Sequence, residues 1–183
     1  MTDLHKQLLR AGLALVTLTS VGLAGTTANA ATKLGNSVPK SLRGTWYELN
    51  SQSGIMRVKL TAKTYSISKG FFIKGKWTPN WNGGKTYRLG KKVKLRKTFT
   101  ISAKNNKKGY RTITARHNSY SYVKSQYKRM TSRYSKQIVL GHRAMTYTNK
   151  HTPTMSDTYP SELAPYANPA KHFYDEYGIG SLK

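Results

Sequence analysis

The chain has 183 residues, with 32 Lys and Arg, six Asp and Glu, and a formal net charge of +26 at pH 7. It contains no cysteine, which excludes a disulfide framework, a thiolate zinc site and a lipid attached through cysteine. No acidic residue lies between Glu48 and Asp157, while the 108 positions between them hold 25 Lys and Arg. Because such a field destabilises a compact state through self-repulsion, we expect a negatively charged partner or environment.

The first 30 residues have the pattern of a secretory signal peptide. Two basic residues, Lys6 and Arg10, precede an apolar run over residues 11–24, and Ala28-Asn29-Ala30 has the small residues that a signal peptidase recognises. The apolar run is shorter than the roughly 20 residues that span a bilayer. We therefore expect cleavage after residue 30, export, and no transmembrane segment in the mature chain.

Three stretches of different composition follow. Residues 31–42 are polar and contain Gly and Pro, which predicts a flexible leader. Residues 43–150 form the cationic domain, and residues 151–183 predict a mildly acidic tail, rich in Pro and Tyr and irregular in structure. A second hypothesis places this tail back on the cationic body, as a competitor for its partner, through Tyr159, Tyr166, Phe173, Tyr174 and Tyr177.

Alternating apolar and cationic residues predict β-strands in the cationic domain. Residues 56–60 and 93–103 place apolar side chains on one face and polar or cationic ones on the other. Further strands are predicted at 45–49, 64–68, 85–89, 110–115 and 137–148, with turns at 82–84 and 105–109. Residues 120–138 fit either a helix or strands, and their Tyr, Ser and Thr content favours strands. The predicted fold class is mainly β, a small antiparallel barrel or sandwich that is lipocalin-like at most.

The run Val38-Pro39-Lys40-Ser41-Leu42-Arg43-Gly44-Thr45-Trp46-Tyr47 carries a resemblance. It resembles the opening of small secreted proteins of lactic-acid bacteria, mostly uncharacterised, that share a Pro-Lys-x-Leu-Arg-Gly-Thr-Trp-Tyr block. Gly44 and Trp46 also resemble the first-strand motif of lipocalin-like barrels, where the Trp closes one end and a late basic residue packs across it. The resemblance implies a secreted or cell-surface β protein, with Arg129 or Arg143 as that packing residue.

No motif indicates a reaction. Glu48 is the only acid of the cationic domain, so the paired carboxylates of glycoside hydrolysis are nearly unavailable. The histidines after residue 30 lack His-x-x-x-His spacing and adjacent carboxylates, so we expect no metal site. There is no Gly-x-Ser-x-Gly elbow and no phosphate loop. We predict a non-enzymatic protein without a cofactor, while a Ser-His-Asp triad assembled from distant positions stays open.

Two sets of residues are candidates for binding a partner. The densest cationic set, predicted to bind polyanions, consists of Lys91, Lys92, Lys94, Arg96, Lys97, Lys104, Lys107, Lys108 and Arg111. The second set combines stacking faces for sugar rings with cations, and consists of Lys74, Lys76, Trp77, Trp81 and Lys85. The alternative for the two tryptophans is burial at the end of the barrel, and we expect one inside and one outside.

The charge and the export signal together favour one function. We predict a secreted protein that binds anionic cell-wall polymers, such as teichoic acids or acidic polysaccharide, with a steep dependence on salt. Three alternatives stay open. Extracellular nucleic acid would stack on Tyr120, Tyr122 and Tyr127, a small ligand would occupy a lipocalin-like barrel, and a membrane surface is a weaker alternative.

Overall fold

The computed structural model of the protein describes residues 33–50, 54–80, 84–147 and 161–182. The predicted signal peptide, Trp81, most of the predicted turn at 82–84 and Tyr159 lie outside these ranges. The elements within them are β1 (Gly44–Asn50), β2 (Gly54–Leu60), β3 (Thr64–Ile73), β4 (Lys76–Pro79), β5 (Lys85–Leu89), β6 (Thr98–Ile101), β7 (Arg111–Arg116), β8 (Tyr122–Thr131), β9 (Ile138–Tyr147), β10 (Ser161–Leu163) and α1 (Pro169–Tyr177).

The strands form one sheet that almost closes into a barrel. Its order is β1-β2-β3-β5-β6-β7-β8-β9-β10, and β4 pairs with the second half of β3. Tyr47 N donates to Ala164 O at 2.9 Å and Ala164 N donates to Tyr47 O at 2.8 Å, which joins the end of β10 to β1. The mainly β prediction is confirmed, and the sheet is mixed because β5 and β6 run parallel.

The barrel interior is filled by side chains from alternate positions of the strands. Tyr65 is at the centre of this core, with ring centroids 5.9 Å from Tyr87, 5.8 Å from Phe99 and 6.1 Å from Tyr127. All four rings are fully buried. The aromatic rings therefore pack directly on one another in this part of the barrel and leave no room for a ligand between them.

The residues before β1 belong to the fold. Val38 and Leu42 are buried in the core, and a 3₁₀ turn at Lys40–Leu42 leads into β1. Further upstream, Gly35 N donates to Ile101 O at 2.7 Å and Ala103 N donates to Lys33 O at 2.7 Å. These bonds supply β6 with a partner where β5 has ended. The fold thus starts ahead of Arg43, at which the sequence predicts its start.

Most predicted strands match the observed ones closely, and residues 120–138 contain β8 rather than a helix. The stretch 93–103 is the main exception, because only Thr98–Ile101 is a strand. The residues before it form the crossover between β5 and β6, in which Lys97 N donates to Lys94 O at 3.2 Å. Leu95 is 40% exposed, so the alternation that predicted a strand does not reflect a buried face there.

The described part of the tail contains β10 and α1, whereas the sequence predicts an irregular segment. Asn168 caps the helix by accepting a bond from Lys171 N at 3.0 Å, and Pro169 stands at its first position. Proline there favours a helix because its missing N–H and fixed φ suit the first turn. Gly178, with φ of 65°, ends the helix in the left-handed conformation. No helix in the described ranges is long and apolar enough to cross a membrane.

Helix α1 packs on the outer face of β1 to β4. Phe173 is buried, with its ring centroid 6.3 Å from Tyr47 and 6.4 Å from Phe72. Ala170 is buried in the same cluster. We call these residues, with Ile55 and the flanking Trp77 and Tyr166, the outer aromatic cluster. The sheet is therefore covered by apolar contacts on both faces in this region.

Replacing Phe173 with alanine tests this packing. We expect Phe173→Ala to lower the free energy of unfolding by about 3 kcal/mol, because it leaves a cavity under the helix. Tyr174→Ala is the matched control, since Tyr174 is 45% exposed and its loss should cost below about 1 kcal/mol. Urea unfolding of both variants measures the difference. Equal losses would contradict the docking of α1 through Phe173.

Candidate functional site

The predicted cationic set divides into two exposed groups. Eight of its nine members are exposed, and only Arg111 is half-buried. We call the cations of the β5–β6 connection the crossover group, which consists of Lys91, Lys92, Lys94, Arg96 and Lys97. We call those of the β6–β7 connection the turn group, which consists of Lys104, Lys107 and Lys108. The prediction of one dense patch therefore needs correction.

The two groups lie at opposite ends of the β6–β7 pair. Arg96 N donates to Arg116 O at 3.0 Å, at the last residue of β7. Asn106 N donates to Tyr110 O at 2.8 Å, just before the first residue of β7. The six residues of β7 separate these ends by about 17 Å at the usual strand rise. Residues that are close in sequence are separated here because β6 runs between them.

Backbone hydrogen bonds hold the crossover group in place. The Thr98 hydroxyl donates to Lys92 O at 2.7 Å and accepts from Lys94 N at 2.7 Å. Arg96 adopts a positive φ of 52°, and its Nε donates to His117 O at 2.9 Å. The loop is therefore held by backbone groups and by the side chains of Thr98 and Arg96, while its four lysines are exposed.

Arg111 is not part of the outer cationic surface. It shares an inward-facing parity with Ile113 and Ala115 on β7, and both of these are buried. Its Nη1 donates to Ser102 O at 2.8 Å, while its buried Nε has no hydrogen-bond partner among the described residues. The side chain thus lies at the mouth of the barrel, at the end where the 3₁₀ turn precedes β1.

A cleft of about 600 Å³ opens at this end of the barrel. We call it the mouth cleft. It is lined by Pro39, Ser41, Leu42, Asn105, Gly109, Arg111, Tyr127, Lys128, Arg129, Met130, Thr131 and Ile138. Three of these residues are cations and none is acidic. The cleft joins three distant parts of the chain, so its composition cannot be read from a local motif.

The predicted sugar-stacking set does not form one surface. Lys74 and Lys76 are exposed at the β3–β4 hairpin, whereas Lys85 is half-buried on β5. Lys76 pairs with Ile73 and Lys85 with Ile67, so about 20 Å of β3 separates their positions. Trp81 lies outside the described residues, and its predicted exposure stays a prediction.

Trp77 belongs to the outer aromatic cluster and is half-buried. Its ring centroid lies 5.2 Å from Phe72 and 6.1 Å from Tyr47. The Arg57 guanidinium carbon lies 4.5 Å from the Trp77 centroid, within cation–π range. Because a protein cation already occupies this ring, Trp77 is poorly suited to stack on a sugar as predicted.

The Gly-x-Trp motif is placed at the start of β1. Gly44 has a φ of 138°, a conformation that favours glycine. Trp46 is buried, and its Nε1 donates to Leu42 O at 3.1 Å, which ties the 3₁₀ turn to the core. Arg129, one of the two residues predicted to pack on Trp46, is exposed and lines the mouth cleft.

A polar chain inside the barrel was not predicted from the sequence. Glu48 hydrogen-bonds Ser161, and the Ser161 hydroxyl lies 3.4 Å from His142 Nδ1. The His142 ring stacks on Tyr127 at 4.9 Å, and the Tyr127 hydroxyl lies 3.1 Å from that of Tyr65. Only the sheet register brings these residues together, because β10 pairs Ser161 with His142.

Burial controls the ionisation of this chain. It raises the pKa of the Glu48 carboxyl and the pKa of the Tyr127 phenol, and it lowers the pKa of His142 to about 4. The serine stands between the carboxylate and the imidazole, whereas a catalytic triad has the histidine in the middle. His142 Nε2 is buried without a hydrogen-bond partner among the described residues. The arrangement therefore favours a structural role with neutral His142.

The tyrosines predicted to stack on nucleic acid do not form one platform. Tyr127 is fully buried, so it contributes no surface. Tyr120 is 80% exposed, and the Arg116 guanidinium lies 5.1 Å from the Tyr122 ring. A smaller stacking surface around Tyr120 remains next to the β7–β8 connection.

Comparison with known proteins gives no family assignment. No model of a protein family matches the chain, and neither a curated protein nor a solved structure matches it.

The pH dependence of stability tests the buried state of His142. Its folded pKa of about 4 lies below the usual value of 6.5, so the unfolded chain binds the proton more readily between these values. Stability should therefore fall as the pH drops through this window, by up to about 3 kcal/mol. His142→Gln removes this term and retains a polar side chain.

Urea unfolding of the parent and of His142→Gln at several pH values measures the effect. Glu48, whose raised pKa acts in the opposite direction, is present in both proteins, so the difference between their stabilities isolates His142. We expect this difference to change by about 3 kcal/mol between neutral pH and pH 4. A difference that stays constant with pH would contradict a buried, neutral His142.

Proposed function

We propose that the protein is exported and binds anionic cell-wall polymers electrostatically, through the crossover group and the turn group. The observation that carries this proposal is the exposure of eight cations on two connections of a barrel in which residues 43–150 contain a single acid. That acid, Glu48, is half-buried and hydrogen-bonded to Ser161. It does not neutralise the outer surface at either connection. Export rests on the sequence pattern of the first 30 residues.

The separation of the two groups favours an extended polymer over a compact ligand. Thr112 and Thr114 alternate with the buried Ile113 and Ala115, so they lie on the outward face of β7 between the groups. A polymer that crosses this strip meets cations at each end and hydroxyl groups between them. Repeated phosphates or carboxylates at a spacing of a few ångströms satisfy this arrangement in many registers. The expected binding is therefore tolerant of polymer sequence and sensitive to charge density.

Extracellular nucleic acid is a second candidate, favoured by the exposed Tyr120 beside Arg116 and Tyr122. Stacking on one or two aromatic rings would give single-stranded nucleic acid an advantage over a polymer of matched charge. Competition between single-stranded DNA and polyglycerol phosphate distinguishes the two candidates. Tyr120→Ala should weaken only the nucleic acid if stacking contributes.

Two sets of charge-removing substitutions test the cationic surface. The turn variant replaces the three lysines of the turn group with glutamine, namely Lys104, Lys107 and Lys108. The control variant makes the same replacement at Lys59, Lys74 and Lys76. All six lysines are exposed, so both variants should fold and carry the same net charge. Each phosphate contact that is lost means that about one counterion fewer is released on binding. The turn variant should therefore reduce the slope of log affinity against log salt by about three.

The measurement is binding to polyglycerol phosphate across a salt series. The control variant should keep the parent slope, apart from a small long-range effect that salt screens. A crossover variant, in which Lys91, Lys92, Lys94 and Lys97 become glutamine, should also lower the slope. Equal changes in the turn variant and the control variant, which lose the same number of charges, would show that net charge alone sets binding, and would overturn the assignment to the two connections.

Sedimentation with cell walls tests the proposed location of the protein. The chain from residue 31 onward is mixed with walls before and after removal of teichoic acids, across a salt series. We expect binding to fall on removal and to decrease steeply with salt. Binding that survives both treatments would contradict electrostatic retention.

A further inference from the structure

We propose that the mouth cleft binds the oxyanion-bearing end of a polyol or sugar chain, as a site distinct from the cationic surface. The group bound is a phosphate or carboxylate attached to a body with apolar faces. This inference rests on the proposed function for the origin of its ligand, since the chain end belongs to the same class of polymer. The cleft itself is lined by residues other than those of the crossover group and the turn group.

The cations that line the mouth cleft belong to two neighbouring strands. Arg111 opens β7, and Lys128 and Arg129 lie on β8, where Arg111 pairs with Tyr127. The Arg111 guanidinium is held by Ser102 O at 2.8 Å and is half-buried. No carboxylate is among the described residues that line the cleft, and a partly desolvated guanidinium in that position is costly. An oxyanion in the cleft would compensate its charge.

Lys128 is held at the wall of the cleft. Its Nζ donates to Lys108 O at 3.3 Å and lies 5.9 Å from the centroid of the Tyr110 ring. Gly109, with φ of 83°, brings the turn against the Lys128 stem, and a Cβ there would lie 3.2 Å from Lys128 Cε. These contacts restrain the ammonium group at the wall of the cleft, which reduces the entropy that a ligand must overcome.

The rest of the lining is largely apolar. Pro39, Leu42 and Met130 contribute to it, and Ile138 is 41% exposed. A bare inorganic anion would leave these surfaces in water, whereas a glycerol or sugar unit would cover them. The volume of about 600 Å³ is within the range of sites for small organic ligands and is too small for a long polymer.

A recessed site differs physically from the open surface. Cations around a concave, low-dielectric wall concentrate their potential inside it, and salt screens a partly buried pair less than an exposed one. Binding of a polymer to the cationic surface should therefore be fast, should have no fixed stoichiometry, and should weaken steeply as the salt concentration rises. Binding in the mouth cleft should be saturable, with one ligand per chain, and less sensitive to salt.

Calorimetric titration tests the site with glycerol 3-phosphate and with glucuronate as separate probes, and inorganic phosphate as the reference. We expect binding of one organic ligand per chain, tighter than that of inorganic phosphate, and the stronger probe identifies phosphate or carboxylate as the preferred group. Arg129→Gln should weaken it about tenfold, since it removes a charge-assisted contact. Lys92→Gln is the matched control, because it removes an exposed cation from the crossover group and should leave the affinity unchanged.

Ile138→Trp provides a second variant, which fills the cleft without changing the charge. It should also lower the affinity for the organic ligand about tenfold. The slope of log polymer affinity against log salt should stay as in the parent. Equal affinity for glycerol 3-phosphate in the parent, Arg129→Gln and Ile138→Trp would overturn the site. No saturable binding of either organic probe, with polymer binding intact, would overturn this inference and leave the proposed function standing. If the parent protein does not bind the polymer at all, the proposed function itself is overturned.

Discussion

The closure of the sheet by β10 is the constraint on which the rest of the structure depends. The paired bonds between Tyr47 and Ala164 join the last strand to the first, and β10 pairs with β9 on its other side. Without β10, β1 and β9 would both be open edges of a twisted sheet. The nearly closed sheet surrounds the aromatic core around Tyr65, and it positions Ser161 between Glu48 and His142.

This closure explains how a polycation of this size keeps a stable fold. Most of the charges that repel one another are on connections and outward faces, while apolar packing is found on two sides of β1 to β3. The inner side is the barrel core, and the outer side is the cluster in which Phe173, Tyr47 and Phe72 meet. The C-terminal segment therefore contributes to the structure twice, as a closing strand and as a covering helix. Phe173 and Tyr166 of this segment belong to the outer aromatic cluster, so competition for a polyanion is not required to explain these two residues.

Sequence patterns predicted the local strands well because the period-two alternation is a direct consequence of a one-sided core. The same pattern failed in the crossover. Val93 and Leu95 alternate with cations there, but the chain forms a turn in which the Thr98 hydroxyl bonds to Lys92 O and Lys94 N. The inward position of Arg111 was accessible from sequence, because it has the parity of Ile113. Helix α1 was accessible too, since Asn168, Pro169 and Gly178 are cap signals. Sequence proximity misled the grouping of lysines, because β6 separates them.

The mouth cleft and the polar chain were beyond sequence reasoning for a different reason. Each is assembled from segments far apart in the chain, and a single sequence carries no register between distant strands. Both contain a buried or half-buried side chain that can carry a positive charge, His142 in the polar chain and Arg111 in the mouth cleft. Inside the barrel, burial keeps His142 neutral, so no counterion is needed. At the mouth, the half-buried Arg111 guanidinium donates to Ser102 O, and no acidic residue is among the described residues that line the cleft around it. An oxyanion that binds only the folded state, as proposed for the mouth cleft, would stabilise such a protein by mass action, because it would shift the folding equilibrium. In a wall rich in phosphate or carboxylate, folding and retention would then reinforce each other.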